Sequence, residues 1–380
     1  MYKNRKTPGV YVTELDAFPP SVVSVETAVP AFIGYTEKAV IDGKPVFMKP
    51  VKLTSMVDFD AIFGGGYTPN YNIVTTGEEE QAANDAAKEE AEQNIEEGSA
   101  EDYDFIAHDE NGKKLYCQLE KVGSTTFNLY NSMKLFYANG GGKCYVVSVG
   151  DYEKGQTINK NHLKKGLRAI GDEVGPTILV VPDAVLIEAN DPKVPYKSSG
   201  YAEVAKTMLK QCHDLQDRVA ILDVYGSGYA KKTNLDDVAT QFRTDVGSNY
   251  LSYGMGYFPF LTTSIVSLDD VSFQNITTEH LLPLLNAEVD MLYPVTPGNP
   301  DAAEEKDKAD KPHPKNAPLK AEIAKIAEAK TAEEVTKLDQ NLVAAIPLLK
   351  DIEKIIVTKN QTLPPSGAMA GVFSATDSPS

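Results

Sequence analysis

Between residues 126 and 257 the chain alternates two hydrophobic periods. Phe127, Tyr130, Met133, Leu135 and Tyr137 fall at helical spacing, and Gly140-Gly141-Gly142 ends that stretch before the apolar run 144–149. The same order recurs three times: helical patterns over 163–170, 201–215 and 235–247 precede apolar runs at 177–181, 219–222 and 250–257. Apolar runs without polar alternation are strands buried on both faces, and amphipathic helices between them are the crossovers of a parallel sheet. The spacing therefore predicts an α/β fold, mixed α+β at its edges, with a mostly parallel central sheet covered by helices.

On either side of that region the pattern changes. Pro8-Gly9 signals a turn, and Val10, Tyr11, Val12 and Thr13 favour an extended strand before Pro19-Pro20 breaks the chain. β-rich pieces come next at 21–25 and 31–35, then a turn at Asp42-Gly43, the apolar 51–53, and a helix over 56–63 stopped by Gly64-Gly65-Gly66. An extended piece at a terminus must find partners for its backbone, in its own domain or in another subunit. Residues 78–104 then carry twelve acids against the single base Lys88, with little to bury, and read as a solvated outer segment. A calcium loop is the sharper alternative, but its acidic spacing is absent.

A second departure covers 268–355. It opens with proline-rich loops and a run of alternating acids and lysines, and two helices come after them. Leu319, Ile323 and Ile326 share a face of the first; Val335, Leu338, Leu342 and Ile346 share a face of the second, and Thr331 with Glu334 forms a capping box. The expected organisation is an extended N-terminal arm (1–27) and a discontinuous core (28–64, 124–267 and 356–380). Two inserted modules interrupt the core: an acidic one (65–123) and a partly helical one (268–355).

Composition narrows the function. The 380 residues hold 54 Asp+Glu against 37 Lys+Arg, a formal net charge of −17. That balance opposes a nucleic-acid coat or a membrane-surface binder and suits a subunit kept soluble before assembly. Cys117, Cys144 and Cys212 show neither disulfide nor zinc spacing. No apolar run approaches the ~18 residues of a membrane span, and no signal-peptide core follows the charged N-terminus, so the producer's cytoplasm is the expected compartment.

Enzyme chemistry has one foothold. Asp151, Asp183 and Asp223 sit at or just past the carboxyl ends of predicted strands, where open parallel sheets bind ligands and clustered carboxylates hold Mg²⁺. A metal-dependent hydrolase is thus one alternative; the plainer reading makes each Asp a turn former or the N-cap of the next element. Gly140-Gly141-Gly142-Lys143 lacks the leading glycine, the subsequent Ser or Thr and the strand-then-helix order of a phosphate loop, and Gly226-Ser227-Gly228 has Lys231 at the third glycine position. His108, His162, His213, His280 and His313 show no ligand spacing, and Cys144 and Cys212 lie in core-like patterns. No catalytic, cofactor-binding or metal-binding residue is assigned.

Several stretches together resemble contractile tail sheath proteins, the family of myophage, tailocin and extracellular contractile injection system sheaths. Thr7-Pro8-Gly9-Val10-Tyr11-Val12-Thr13-Glu14 together with 28–36 resembles the family's start, and 139–150 its helix, glycine turn and strand. Residues 212–214 with 217–223 resemble the next helix–strand pair, and Leu363-Pro364-Pro365-Ser366-Gly367-Ala368-Met369-Ala370-Gly371-Val372 is the most specific stretch. The matches run in order from residue 7 to 372.

The resemblance implies a non-enzymatic subunit that polymerises helically around an inner tube and contracts to drive it through a target envelope. It implies an intersubunit arm at Pro8, Gly9, Val10, Tyr11, Val12, Thr13 and Glu14 that adds a strand to a neighbour's sheet. The partners would be other copies of the chain, the inner tube protein, and baseplate and tail-terminator proteins, without nucleic acid, membrane insertion or cofactor. The setting would be the cytoplasm during assembly, then a phage tail-like particle open to extracellular release. A baseplate or tail-terminator component of the same fold is a further alternative. Family members usually continue beyond the 363–372 stretch into another α/β segment and a C-terminal arm, so on that comparison the chain reads as C-terminally truncated.

Overall fold

A computed structural model describes residues 28–77, 103–123, 126–152, 157–191, 194–228, 235–296 and 311–377. The strands, in chain order, are β1 (Pro30–Gly34), β2 (Val40–Ile41), β3 (Lys44–Pro45), β4 (Val51–Leu53), β5 (Tyr71–Gly77), β6 (Phe105–His108), β7 (Lys114–Lys121), β8 (Cys144–Ser148), β9 (Ile178–Val180), β10 (Val219–Asp223), β11 (Gly254–Tyr257), β12 (Leu261–Thr262) and β13 (Thr362–Leu363). The helices are α1 (Met56–Phe63), α2 (Leu129–Ala138), α3 (Lys160–Gly171), α4 (Ser199–Leu215), α5 (Leu235–Val246), α6 (Thr278–Leu292), α7 (Asn316–Ala324), α8 (Ala332–Ala345), α9 (Pro347–Asn360) and α10 (Ser366–Asp377).

Six strands form the central sheet in the order β11-β10-β9-β1-β8-β4. All neighbours are parallel except the edge strand β4, which runs antiparallel to β8. Every residue of β1 is buried, and the strand's pleat sends its side chains to two different cores. Ala31 and Ile33 join Val147, Leu179 and Leu222 under α3 and α4. Phe32 joins Val146, Val180 and Ile221 under α1, α2 and α10. A mixed α/β fold with a mainly parallel, doubly covered sheet is therefore observed. β11 begins only at Gly254, after a short 3₁₀ turn over Leu251–Tyr253, so it is shorter than the apolar run 250–257 suggests.

Local signals set the helix boundaries. The Ser55 side chain accepts the Asp58 N–H at the start of α1, and Ser198 accepts that of Tyr201 at the start of α4. The capping box of α8 forms as its residues indicate: Thr331 Oγ1 accepts the Glu334 N–H at 3.3 Å, while Glu334 accepts that of Thr331 at 3.2 Å.

A second hydrophobic core lies beside the first. β5, β7 and β6 form an antiparallel sheet in that order, joined at the β6–β7 end by a turn in which Asp109 accepts the N–H groups of Asn111 and Lys113. Its inner face (Tyr71, Ile73, Phe105, Cys117, Leu119) packs with Leu281, Leu285, Ile323, Leu342, Ile352 and Ile356 of the helices beyond residue 277. The two segments that read as separate insertions thus share one core. Thr68 Oγ1 donates to the Asp270 carbonyl and Lys134 pairs with the Asp270 carboxylate at 3.3 Å, which ties this body to the sheet body.

Candidate functional site

The carboxyl ends of the parallel strands are the natural place to look for a site, and two of the three candidate aspartates are buried there. Asp183 lies just past β9 with no solvent exposure. Its Oδ2 accepts the Tyr35 N–H at 2.8 Å, and its Oδ1 accepts the Asn128 N–H at 2.6 Å; the Leu129 N–H also points to this carboxyl. Asn128 Nδ2 in turn donates to the Pro182 carbonyl at 3.1 Å. One carboxyl group therefore closes the end of β1 and caps the first turn of α2, more than fifty residues away in sequence. Burial pushes its pKa up to about 6, opposed by those backbone donors.

Asp223 ends β10 and does the same for α10. Its Oδ1 accepts the Ser366 N–H at 2.8 Å and its Oδ2 accepts the Ser366 hydroxyl at 2.5 Å, while its backbone carbonyl accepts the Tyr201 hydroxyl. Burial raises this carboxyl to about 7. Helices that start at this edge of a parallel sheet present bare N–H groups there, and the two aspartates satisfy them. Both are caps, but of helices remote in sequence and not of the next element along the chain. Asp151 is exposed and stands apart from both interactions. Among the described residues, no three His, Cys, Asp or Glu side chains converge as a metal site would require.

The glycine-rich stretches serve packing. Gly140 has φ of +86° and directs the chain from α2 into β8, with Ala375 of α10 so close that a Cβ would lie 2.7 Å from that methyl group. Along α10, a Cβ at Gly367 would stand 2.5 Å from the Ser132 carbonyl oxygen and one at Gly371 2.5 Å from that of Phe136. The Ser366-to-Gly371 stretch is thus a small-residue face on which α10 meets the backbone of α2, and Asp223 fixes its start. Gly226-Ser227-Gly228 is the turn after β10, closed in by Tyr196 and Phe260.

The remaining candidates are dispersed. Cys117, Cys144 and Cys212 are buried and free, and burial pushes their thiols up to about 11, 12 and 12, far from a reactive thiolate. His162 Nδ1 pairs with the Tyr35 hydroxyl at 3.1 Å, His280 Nδ1 accepts the Ile73 N–H, and His213 stacks on Tyr250. The arm residues Pro8, Gly9, Val10, Tyr11, Val12, Thr13 and Glu14 lie outside the described residues, as does most of the acidic run 78–104.

Two features went unassigned in the sequence. The first is Arg218, whose guanidinium is buried and forks onto Asp217 at 2.7 and 3.1 Å, while donating to the carbonyls of Ile170 in the last turn of α3 and of Glu173 just beyond it. The Asp217-Arg218 pair before an apolar strand was its visible trace. The second is a cleft of about 440 Å³ between the two bodies, over the carboxyl ends of β9 and β10, lined in part by Tyr67, Lys121, Asn128, Tyr130, Leu186 and Phe260. Nothing local in sequence marks it, because its walls come from segments far apart in the chain.

No family model matches this chain, and no curated protein matches it. Among solved structures it is similar to a chain in the cryo-EM structure of the anti-feeding prophage (AFP) baseplate, at 16% identity with a TM-score of 0.30. The likeness covers 76% of this chain and 53% of that one, so the chain spans about half the length of that neighbour. A likeness of this size says nothing about activity. No helix among the described residues is long and apolar enough to cross a membrane.

Proposed function

We propose that this chain is a structural subunit of a contractile sheath, acting by helical assembly around an inner tube and without catalysis. The observation that carries the reading is the ordered series of sequence matches from Thr7 to Val372, above all the 363–372 stretch. Two physical points support it. The most enzyme-like carboxylates, Asp183 and Asp223, are occupied by backbone and Ser366 donors that hold the sheet body together. A net charge of −17 suits a subunit that must stay dispersed until nucleated.

Contraction needs connections that survive while rigid bodies repack. Main-chain hydrogen bonds of an added strand, each worth a net ~0.5–1.5 kcal/mol, can supply them. In this reading Pro8, Gly9, Val10, Tyr11, Val12, Thr13 and Glu14 tether each copy to the next. Non-closing contacts between identical subunits give an open filament. Inner tube, baseplate and terminator proteins would be the other partners, and assembly would take place in the producing cell.

Negative-stain microscopy of the protein, mixed with the inner tube protein and compared with a form lacking residues 1–15, tests the reading. Tubes from the intact chain that vanish without the arm are the expected result. Closed rings in place of tubes would move the protein to a baseplate or terminator role. Tubes that persist without the arm would overturn the tether.

A further inference from the structure

The face of the central sheet that carries α10 is left partly bare at its β11 edge. α10 packs on β9 and β10, while β11 pairs only with β10 among the described residues. Met255 and Tyr257 of β11 are therefore only half-buried. An open groove of about 720 Å³ runs past the amino ends of β9, β10 and β11, with Ala28, Ile178, Val219, Met255 and Phe373 among its walls. These five side chains belong to one hydrophobic cluster, in which Ile178 is buried and the other four are partly so. The charged groups at the rim are Asp217, Arg218 and Asp377, and the Arg218 guanidinium is already held by Asp217 and two carbonyls. The groove thus suits an apolar, uncharged occupant, and two acids at its rim oppose a long acidic one.

We propose that the occupant is the chain's own segment Val22-Val23-Ser24-Val25, docked in the groove of the same molecule. Ala28 is itself part of the wall, so the chain passes through the groove on its way into β1. Val29 is fixed there: its N–H donates to Thr177 Oγ1 and its carbonyl accepts the Thr177 N–H, both at 2.9 Å. Residues 22–27, if fully extended, reach roughly 20 Å, whereas β11 lies two strand spacings from β9, about 10 Å. The stretch 22–25 carries no charge and three apolar β-branched residues that need a surface to cover. The acid-rich run 78–104 would instead bring its carboxylates to Asp217 and Asp377. Docked in this way, the segment covers Met255 and sets the point from which the residues before Pro19-Pro20 leave the subunit. The inference does not rest on the sheath reading, since it concerns one chain whether or not residues 8–14 reach a neighbour.

Peroxide oxidation of the full chain, read at each methionine by peptide mass spectrometry, tests it. Met291 is 47% exposed and Met133 is fully buried, so the two bracket the scale. Val23→Asp combined with Val25→Asp should displace the segment and speed Met255 oxidation about fivefold or more, with Met133 and Met291 unchanged. Val10→Asp should leave Met255 as in the wild type, which separates this docking from the tether. Protection of Met255 should also survive about hundredfold dilution, because a contact within one chain does not depend on concentration. Equal Met255 rates in the wild type and the double variant would overturn the proposal. Protection lost on dilution would mean that a second copy supplies the segment, and would overturn it too. A nitroxide on Ser24→Cys gives a check that needs no disruptive change, since the native cysteines are buried. It should broaden the Met255 methyl NMR signal, and an unaltered signal would overturn the proposal whatever the oxidation rates show.

Discussion

The two bodies of the molecule bury carboxyl groups in opposite ways. In the sheet body both oxygens of Asp183 and of Asp223 meet a donor: the Tyr35 N–H at the end of β1, the Asn128 N–H before α2, and the N–H and hydroxyl of Ser366 at the start of α10. In the second body Glu353 of α9 is buried against Asp339 of α8, and the pair receives one backbone donor, the Phe273 N–H on Asp339 Oδ1 at 2.9 Å. Glu353 Oε1 finds no partner among the described residues. Burial and the neighbouring carboxylate push Glu353 up to about 9, so the pair holds a proton through neutral pH. The contrast teaches what a buried acid is for. Where it completes a helix end it is part of the framework; where two acids share a proton, the packing around them is conditional on pH.

The largest expected effect breaks the framework side. Asp183→Ala strands the Tyr35 and Asn128 N–H groups in the interior, at ~1–3 kcal/mol for each, and urea unfolding should show the loss. Asp223→Ala should act more locally, with hydrogen exchange speeding first in α10 (Ser366–Asp377). If α10 remained as protected as the rest of the sheet body, the anchoring role of Asp223 would be wrong.

Next comes the helix contact itself. Gly371→Ala places a methyl group 2.5 Å from the Phe136 carbonyl oxygen, so α10 must shift away from α2. Overpacking of this kind costs about 1–3 kcal/mol, read as a lower denaturation midpoint. An unchanged midpoint would mean that the two helices do not meet backbone to backbone.

The conditional side is tested by pH. A carboxyl raised on folding binds more protons folded than unfolded, so its stabilisation is complete below the ordinary value near 4 and is lost as pH rises through the folded value. For Asp183 and Asp223 that window closes at about 6 and 7, whereas for Glu353 it extends to about 9. Between pH 7.5 and 9 the wild type should therefore lose stability through the second body, at no more than about 1.4 kcal/mol per pH unit for one proton. Glu353→Gln should flatten that slope, because the amide keeps a donor to Asp339 and never ionises. Parallel slopes in the two proteins would show that Glu353 is not the titrating group.

The smallest effect concerns the join. Lys134 and Asp270 pair across the two bodies while each keeps contact with solvent. Lys134→Ala should cost less than about 1 kcal/mol and should cost nothing measurable in high salt. A loss of several kcal/mol would mean that the join depends on this bridge far beyond what a partly exposed ion pair supplies.

What could be read without coordinates was local in origin. The helix–strand repeats from 126 to 257, the double-sided burial of the central strands and the Thr331–Glu334 capping box each depend on residues within a turn or two of one another. The strands β5 to β7 were missed. The acidic composition beyond Gly77 masked the alternation of Phe105 and Ala107 and of Cys117 and Leu119, although Asn111-Gly112 between them was a legible turn.

By itself, then, the chain's order of apolar and polar residues determined the α/β class, the parallel centre and most element boundaries, because periodicity acts over a few residues. Only the tertiary structure decided that Asp183 caps α2, that Asp223 holds Ser366, and that β5, β6 and β7 share one core with the helices α6 to α9. An apolar face or a buried charge states that it needs a partner but not which one. That choice is made when a sheet brings strand ends and helix starts from distant parts of the chain to one edge.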